Sequence, residues 1–244
     1  MQKFTFNGIF NSLPIWTPDS SRIIFDSRRD ELREGIYSKA ADGSGKVEQI
    51  LKMPDADMWP ASILKDGNIL FFVQNVDLQD STYDIGMLSI DGDRTSKLLL
   101  KETYDERWPQ ISPEGRWLAY MSNENGRYEI FVRPFPDVES GSKYQVSTDG
   151  GEFPLWSPDG TELFYRGPDA IMGVKVEPAT SFKHSAPRNF FPDQYIGQFD
   201  IHPDSEKFLM LKEPVSEATT EETPRKINIV LNWFEELKER VPVD

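Results

Sequence analysis

One five-residue phrase returns five times along this chain at nearly even intervals. It reads Trp16-Thr17-Pro18-Asp19-Ser20, Ile63-Leu64-Lys65-Asp66-Gly67, Ile111-Ser112-Pro113-Glu114-Gly115, Trp156-Ser157-Pro158-Asp159-Gly160 and Ile201-His202-Pro203-Asp204-Ser205. The third residues stand at 18, 65, 113, 158 and 203, so the steps are 47, 48, 45 and 45. A period of that length, with several short strands in each unit, is the sequence signature of a β-propeller blade. Within each phrase, Pro presets φ for a type I turn, Asp or Ser hydrogen-bonds the local backbone, and Gly suits the last position. The phrase is therefore a turn between two strands.

An apolar run follows every turn, at 22–25, 68–73, 117–121, 162–165 and 207–211. These runs are near-continuous rather than alternating, as expected of strands covered on both faces, and blades stacked face to face supply that cover. Third strands fit 35–37, 84–88, 128–132, 171–174 and 227–231, and outer strands fit 47–51, 97–100, 143–147 and the less clear stretch 181–191. Asp42-Gly43 and Asp91-Gly92 supply hairpin turns after the first two third strands. The fifth unit lacks an outer strand, and residues 2–6 precede the first phrase where one would be expected.

The sequence thus predicts an all-β chain, a β-propeller of four-stranded antiparallel blades, with five blades and an N-terminal strand closing the last. A six-bladed or incomplete ring is the alternative. The blades fall roughly at 7–52, 53–101, 102–148, 149–192 and 193–234 plus strand 2–6, with 235–244 as a short tail. Closure of the ring would remove the open strand edges that promote aggregation. Trp16, Trp156, Phe25, Phe71, Tyr120 and Phe164 recur beside the turn phrase and are expected in the core between blades.

Composition narrows the function classes. Asp and Glu number 41 against 27 Lys and Arg, a net charge of -14. Such a surface repels phosphate backbones and argues against nucleic-acid binding. With no Cys there is neither a disulfide framework nor a thiolate metal site. No apolar run reaches membrane-spanning length, so no membrane insertion is expected, and residues 1–15 lack the regions of a signal peptide, which reads as cytoplasmic. Residues 213–225, rich in acids, Thr and Pro, read as a long loop inside the last blade.

The search for catalytic chemistry is mostly negative. His184 and His202 are the two histidines, so no multi-His metal cluster forms, and His202 occupies a turn-phrase position held by Ser112 and Ser157 elsewhere. Gly43-Ser44-Gly45-Lys46 lacks the first Gly and the final Ser or Thr of a phosphate-binding loop and reads as a hairpin turn. One constellation stands apart. The connections into the inner strands converge at one mouth of the channel and carry Asp55, Asp57, Asp105, Glu106, Arg107, Asp149 and Glu152, beside Trp59, Trp108 and Phe153. The loop Arg28-Arg29-Asp30-Glu31-Leu32-Arg33-Glu34 belongs to the same face. Asp57, Trp59, Asp105, Glu106, Arg107, Trp108 and Glu152 are the candidate ligand- or partner-binding residues. Oxygen ligands from Asp57, Asp105, Glu106 and Glu152 would suit calcium, the one cofactor this pattern suggests. Solvated loop acids and inner-strand packing are the plainer reading of the same residues.

The turn phrase with its following apolar strand resembles the TolB-like, WD-type β-propeller repeats of bacteria. Asn123-Glu124-Asn125-Gly126-Arg127-Tyr128-Glu129-Ile130-Phe131-Val132-Arg133-Pro134-Phe135-Pro136, then Ser147-Thr148-Asp149-Gly150-Gly151 and the ending 227–242, resemble the C-terminal propeller region attached to bacterial serine/threonine protein kinases. That resemblance implies a sensing or docking module outside the cytoplasm, with kinase activity in a separate domain that this sequence does not include. It also implies six blades, from which a count of five departs. Two functional readings follow: a non-catalytic binding or scaffold module for a protein, peptide or small ligand at the charged mouth, or a metal-assisted hydrolase or lyase built on the mouth carboxylates.

Overall fold

The computed structural model describes residues 4–5, 8–29, 33–76, 82–90, 94–139, 142–177, 180–192, 195–203 and 207–212. Among these residues every named element is a β-strand. The first sheet holds β1 (Phe10–Trp16), β2 (Arg22–Arg28), β3 (Gly35–Ala40) and β4 (Glu48–Leu51) in that order. The second holds β5 (Asp57–Ile63), β6 (Ile69–Asn75), β7 (Asp84–Ser89) and β8 (Ser96–Leu100). The third holds β9 (Glu106–Ile111), β10 (Trp117–Ser122), β11 (Glu129–Pro134) and β12 (Tyr144–Gln145). The fourth holds β13 (Glu152–Trp156), β14 (Glu162–Arg166), β15 (Ala170–Lys175) and β16 (Arg188–Pro192), while β17 (Tyr195–Ile201) and β18 (Phe208–Lys212) form a two-stranded fifth. All neighbours pair antiparallel. The fold is a β-propeller of four-stranded antiparallel blades.

The turn phrase does what its chemistry dictates. Ser20, Gly67, Gly115 and Gly160 donate their N–H groups to the carbonyls of Thr17, Leu64, Ser112 and Ser157 at 2.8–2.9 Å. A second rung closes each hairpin, for example Ser112 N–H to Trp117 O at 2.8 Å and Ser157 N–H to Glu162 O at 2.9 Å. Gly67, Gly115 and Gly160 have φ of 81°, 75° and 73°, the left-handed region where a Cβ is penalised. Asp159 accepts from the Ser157 hydroxyl at 2.7 Å and from Thr161 N–H at 3.0 Å.

Four apolar clusters join consecutive sheets. Ile24 and Ile36 of the first sheet pack with Met58, Leu70, Phe72 and Leu88 of the second. Phe71, Ile85 and Leu100 then meet Leu118, Tyr120 and Phe131 of the third. Trp117, Ile130 and Val132 meet Trp156, Leu163, Val174 and Phe182. Phe164, Ile171 and Phe191 meet Phe199, Phe208 and Met210 of the fifth. Burial on both faces explains the near-continuous apolar runs.

Trp156, Phe25, Phe71, Tyr120 and Phe164 are buried as expected, but Trp16 is 58% exposed. The reason lies in its neighbours. Trp156 is enclosed between the third and fourth sheets, donating to Gln110 O at 3.0 Å with Phe182 edge-on at 6.2 Å. Trp16 instead lines a wide channel cavity together with Leu209 and Leu211 of the fifth sheet, which are also exposed. The proposed pairing of the N-terminal strand with 227–231 lies outside the described residues, except that Phe4 O accepts the Lys39 ammonium at 2.8 Å beside the first blade. The acidic stretch 213–225 and the tail 235–244 lie outside them as well. No helix among the described residues is long and apolar enough to cross a membrane.

Candidate functional site at the channel mouth

The innermost strands β1, β5, β9, β13 and β17 surround one cavity of about 670 Å³. Each departs from regular register by a bulge, at Ser12/Ile15, Pro60/Ser62, Glu152/Leu155 and Ile196/Phe199, and opposite Ala119/Met121 for β9. Leu13, Trp108 and Phe153 sit at these bulges with φ of 44°, 55° and 52°. All three lie five residues before the third position of their turn phrase. A bulky residue in this region is strained, and a β-bulge re-aims the side chain of the strand that carries it. Here the re-aimed side chains line the channel cavity.

At the mouth end, Asp57 and Asp105 occupy the same repeat position and do the same job. Asp57 is buried, accepts Glu34 N–H at 2.7 Å and pairs with Arg33 at 3.2 Å. Asp105 is buried, accepts Tyr83 N–H at 3.2 Å, pairs with Arg107 at 2.8 Å and also accepts the Tyr128 hydroxyl. Each carboxylate therefore clamps the loop before the third strand of the preceding blade onto the next inner strand. The fourth blade has Gly150 at that position, and the clamp is reversed. Gly150 N–H donates to Glu129 Oε1 at 3.0 Å, while Glu129 also binds Arg127 at 2.7 Å and the Ser147 hydroxyl. A Cβ on neighbouring Gly151 would come within 2.5 Å of Ser147 Oγ, so only glycine permits this approach.

Arg107 anchors an aromatic surface. Its guanidinium carbon lies 3.5 Å from the Tyr83 ring centroid and 5.7 Å from that of Tyr128. Tyr83 meets Trp59 at 5.6 Å, and Trp59 donates to Glu34 Oε2 at 2.7 Å. Trp108 meets Phe153 at 5.3 Å, and Arg166 lies 5.7 Å from the Phe153 ring. Leu13, Trp59, Pro60, Ala61, Val73, Tyr83, Arg107 and Trp108 enclose a smaller cavity of about 200 Å³. The guanidinium of Arg107 is thus held both by stacking on Tyr83 and by its bond to Asp105.

The structure thus brings Trp59, Arg107 and Trp108 to one cavity, with Asp57 and Asp105 behind them holding the loops. Glu152 is half-buried on β13 opposite Arg166. Glu106 points elsewhere. It is buried to 1% exposure, its Oε2 has no hydrogen-bond partner, and burial together with the charge of Glu102 pushes its carboxyl up to about 8. Among the described residues no three Asp, Glu, His or Cys side chains form a group fit to hold a metal ion. The described histidines lie apart from the mouth. His202 bonds through its backbone in the fifth turn, and His184 bridges to Val176 beside the fourth blade. Gly43 N–H closes on Ala40 O at 3.0 Å, a hairpin turn.

Sequence reasoning missed Leu13, Tyr83 and Tyr128. The signal for Leu13 was present, because a bulky residue followed by Pro recurs as Leu13-Pro14, Trp59-Pro60, Trp108-Pro109 and Phe153-Pro154 on the inner strands. Tyr83 and Tyr128 precede third strands, and nothing in their local sequence distinguishes them.

No family model matches the sequence, and no curated protein matches it. Solved structures do share the fold. The crystal structure of TolB from Acinetobacter baumannii superposes with a TM-score of 0.62 at 17% identity, over 82% of this chain and 48% of that one. A TolB from Agrobacterium tumefaciens gives 0.56 at 17% identity, over 76% and 69%. A structure of prolyl endopeptidases gives 0.52 at 14% identity, over 82% of this chain and 32% of that one. This chain therefore spans under half of the Acinetobacter protein and about a third of the peptidase. What these proteins share with this chain is the fold.

Proposed function

We propose that this propeller is a non-catalytic docking module that receives a protein or peptide partner at the mouth of its channel. The observation that carries the reading is the small cavity walled by Trp59, Tyr83, Arg107 and Trp108, where a strained bulge aims Trp108 inward and Asp105 and Tyr83 fix Arg107. Buried aromatic and Arg anchors in a desolvated pocket are the residues that dominate protein-binding energetics. Asp57 and Asp105 serve as clamps for Arg33, Arg107 and the loops around that pocket, which supports a docking role for them. The kinase-attached reading rests on the central motif and the C-terminal ending, and it places the same docking role beside a separate enzyme domain.

The test is affinity capture with wild type, Arg107→Ala and Trp108→Ala, with Arg22→Ala at the turn end as control. A partner retained by wild type and the control should be lost from both mouth variants while their melting temperatures stay close to wild type. Equal capture by all four proteins would move docking away from the mouth.

A further inference from the structure

The wide channel cavity is lined from one repeat position, and the fifth blade breaks the pattern. Three residues before the third position of the turn phrase stand Ile15, Ser62, Gln110, Leu155 and Asp200. Of these, Ile15, Gln110, Leu155 and Asp200 line the cavity. Asp200 is the charged member of the set, and no Lys, Arg or His side chain is among the described residues around the space. Strand alternation explains where it points. On β17, Phe199 and Ile201 turn into the seam with the fourth sheet, so Asp200 between them takes the opposite face and is exposed there.

The rest of the wall is aromatic and aliphatic. Trp16 of β1 and Leu209 and Leu211 of β18 are exposed to the cavity, and Leu209 stands directly opposite Asp200 in the strand register. Trp108 and Phe153 are turned inward by the strained bulges, with ring centroids 5.3 Å apart. Backbone strain of this kind clusters at ligand sites. At about 670 Å³ the space has the size of a small-molecule pocket, and apolar walls with a few polar groups are the usual make-up of one. Aromatic faces present negative charge density and the carboxylate adds a full negative charge, so the lining favours a cation over an anion. The net charge of -14 draws cations toward the cleft as well. Arg107 lines the smaller cavity and is paired with Asp105. A cationic ligand therefore has one favoured direction, with its charge at the fifth blade and its apolar body toward the first and third.

We propose that the channel cavity binds a small amphiphilic cation, an organic ammonium whose charge meets Asp200 and whose apolar body lies against Trp16, Leu209 and Trp108. This site is separate from the docking reading, because its charge recognition uses neither Tyr83 nor Arg107.

The test titrates the whole chain at neutral pH, by calorimetry, with biphenylmethylammonium and with biphenylmethanol, which share one apolar body. The ammonium should bind about tenfold more tightly than the alcohol. Asp200 Oδ1 accepts Ile201 N–H at 2.8 Å, a bond that an amide oxygen can keep, so Asp200→Asn leaves the strand intact. This variant should bring the two probes to within about threefold of each other. Asp66→Asn makes the same charge change at an exposed turn of the second blade and should leave the preference for the ammonium as it is. Trp16→Ala should weaken both probes by a similar factor. Equal affinity for the two probes in wild type would overturn the proposal, as would a preference that survives Asp200→Asn or is lost equally in Asp66→Asn. Binding of neither probe would mean that protein fills the cavity, whether residues 213–244 or a partner, and would overturn it too. No partner enters these readouts, so they stand or fall apart from docking at the mouth.

Discussion

The two ends of the inner strands use carboxylates in opposite ways. At the turn end, Asp19 accepts from the Thr17 hydroxyl at 2.6 Å and from the N–H and hydroxyl of Ser21 at 3.0 and 2.8 Å, which pulls its carboxyl down to about 2. Asp159 is lowered the same way by Ser157 and Thr161. At the mouth end, Asp26, Asp84 and Glu106 are buried between strands and blades, and desolvation raises all three. The difference teaches where the repeat serves folding and where it serves something else. Turn acids sit in solvent, satisfied by neighbours two residues away, and every blade can copy them. Mouth acids are buried in surroundings that change from blade to blade, so their chemistry is individual.

If the turn end is architecture, its core should be costly to disturb. Trp156→Ala should lower stability by roughly 3 to 5 kcal/mol in chemical denaturation, because the indole fills the seam over Phe182. Trp16→Ala, the same repeat position in an exposed setting, should cost under about 1 kcal/mol. Equal losses would erase the contrast between the closed seams and the channel side of the first blade. Next in size is Ser112→Ala. The buried hydroxyl accepts Trp117 N–H at 3.0 Å and Arg116 N–H at 3.2 Å, and its loss should cost about 1–3 kcal/mol by the same assay.

The smallest effects are those of pH, and their signs separate the two ends. Asp26, raised to about 6 by burial, gives stability that is complete below about pH 4 and lost as pH rises through 6. Asp26→Asn should therefore flatten the melting-temperature profile between pH 4 and pH 7. Asp19 acts in the reverse sense, stabilising above about pH 4 and losing that contribution as pH falls through 2. Asp19→Asn should leave the profile above pH 5 unchanged. A response of Asp19→Asn between pH 5 and pH 7 would mean that the ends are not chemically distinct.

The blades were legible in sequence because the turn phrase is local. Pro, Asp and Gly act within five residues, so their spacing carries the strand order, the hairpins and most of the core. Trp16 was misread because repeat position carries a residue's orientation and not its cover, which comes from a neighbouring blade. Asp57, Asp105 and Arg107 were singled out by their position ahead of the inner strands, but their partners Glu34, Tyr83 and Tyr128 lie more than twenty residues away and join them only through blade stacking. Glu106 looked like its neighbour Asp105 in sequence. Strand alternation sends one into the seam and the other to the mouth, a distinction set by the register of β9 against β10.

The most direct test of docking at the mouth is photocrosslinking from one residue at each end of the strands. Val76, 45% exposed just past β6 at the mouth, and Thr161, exposed at the turn end, would each carry a benzophenone side chain facing solvent. The account predicts that Val76 crosslinks a partner protein and Thr161 does not, with the Val76 adduct lost in Arg107→Ala. An adduct from Thr161 alone, or a Val76 adduct indifferent to Arg107, would contradict it.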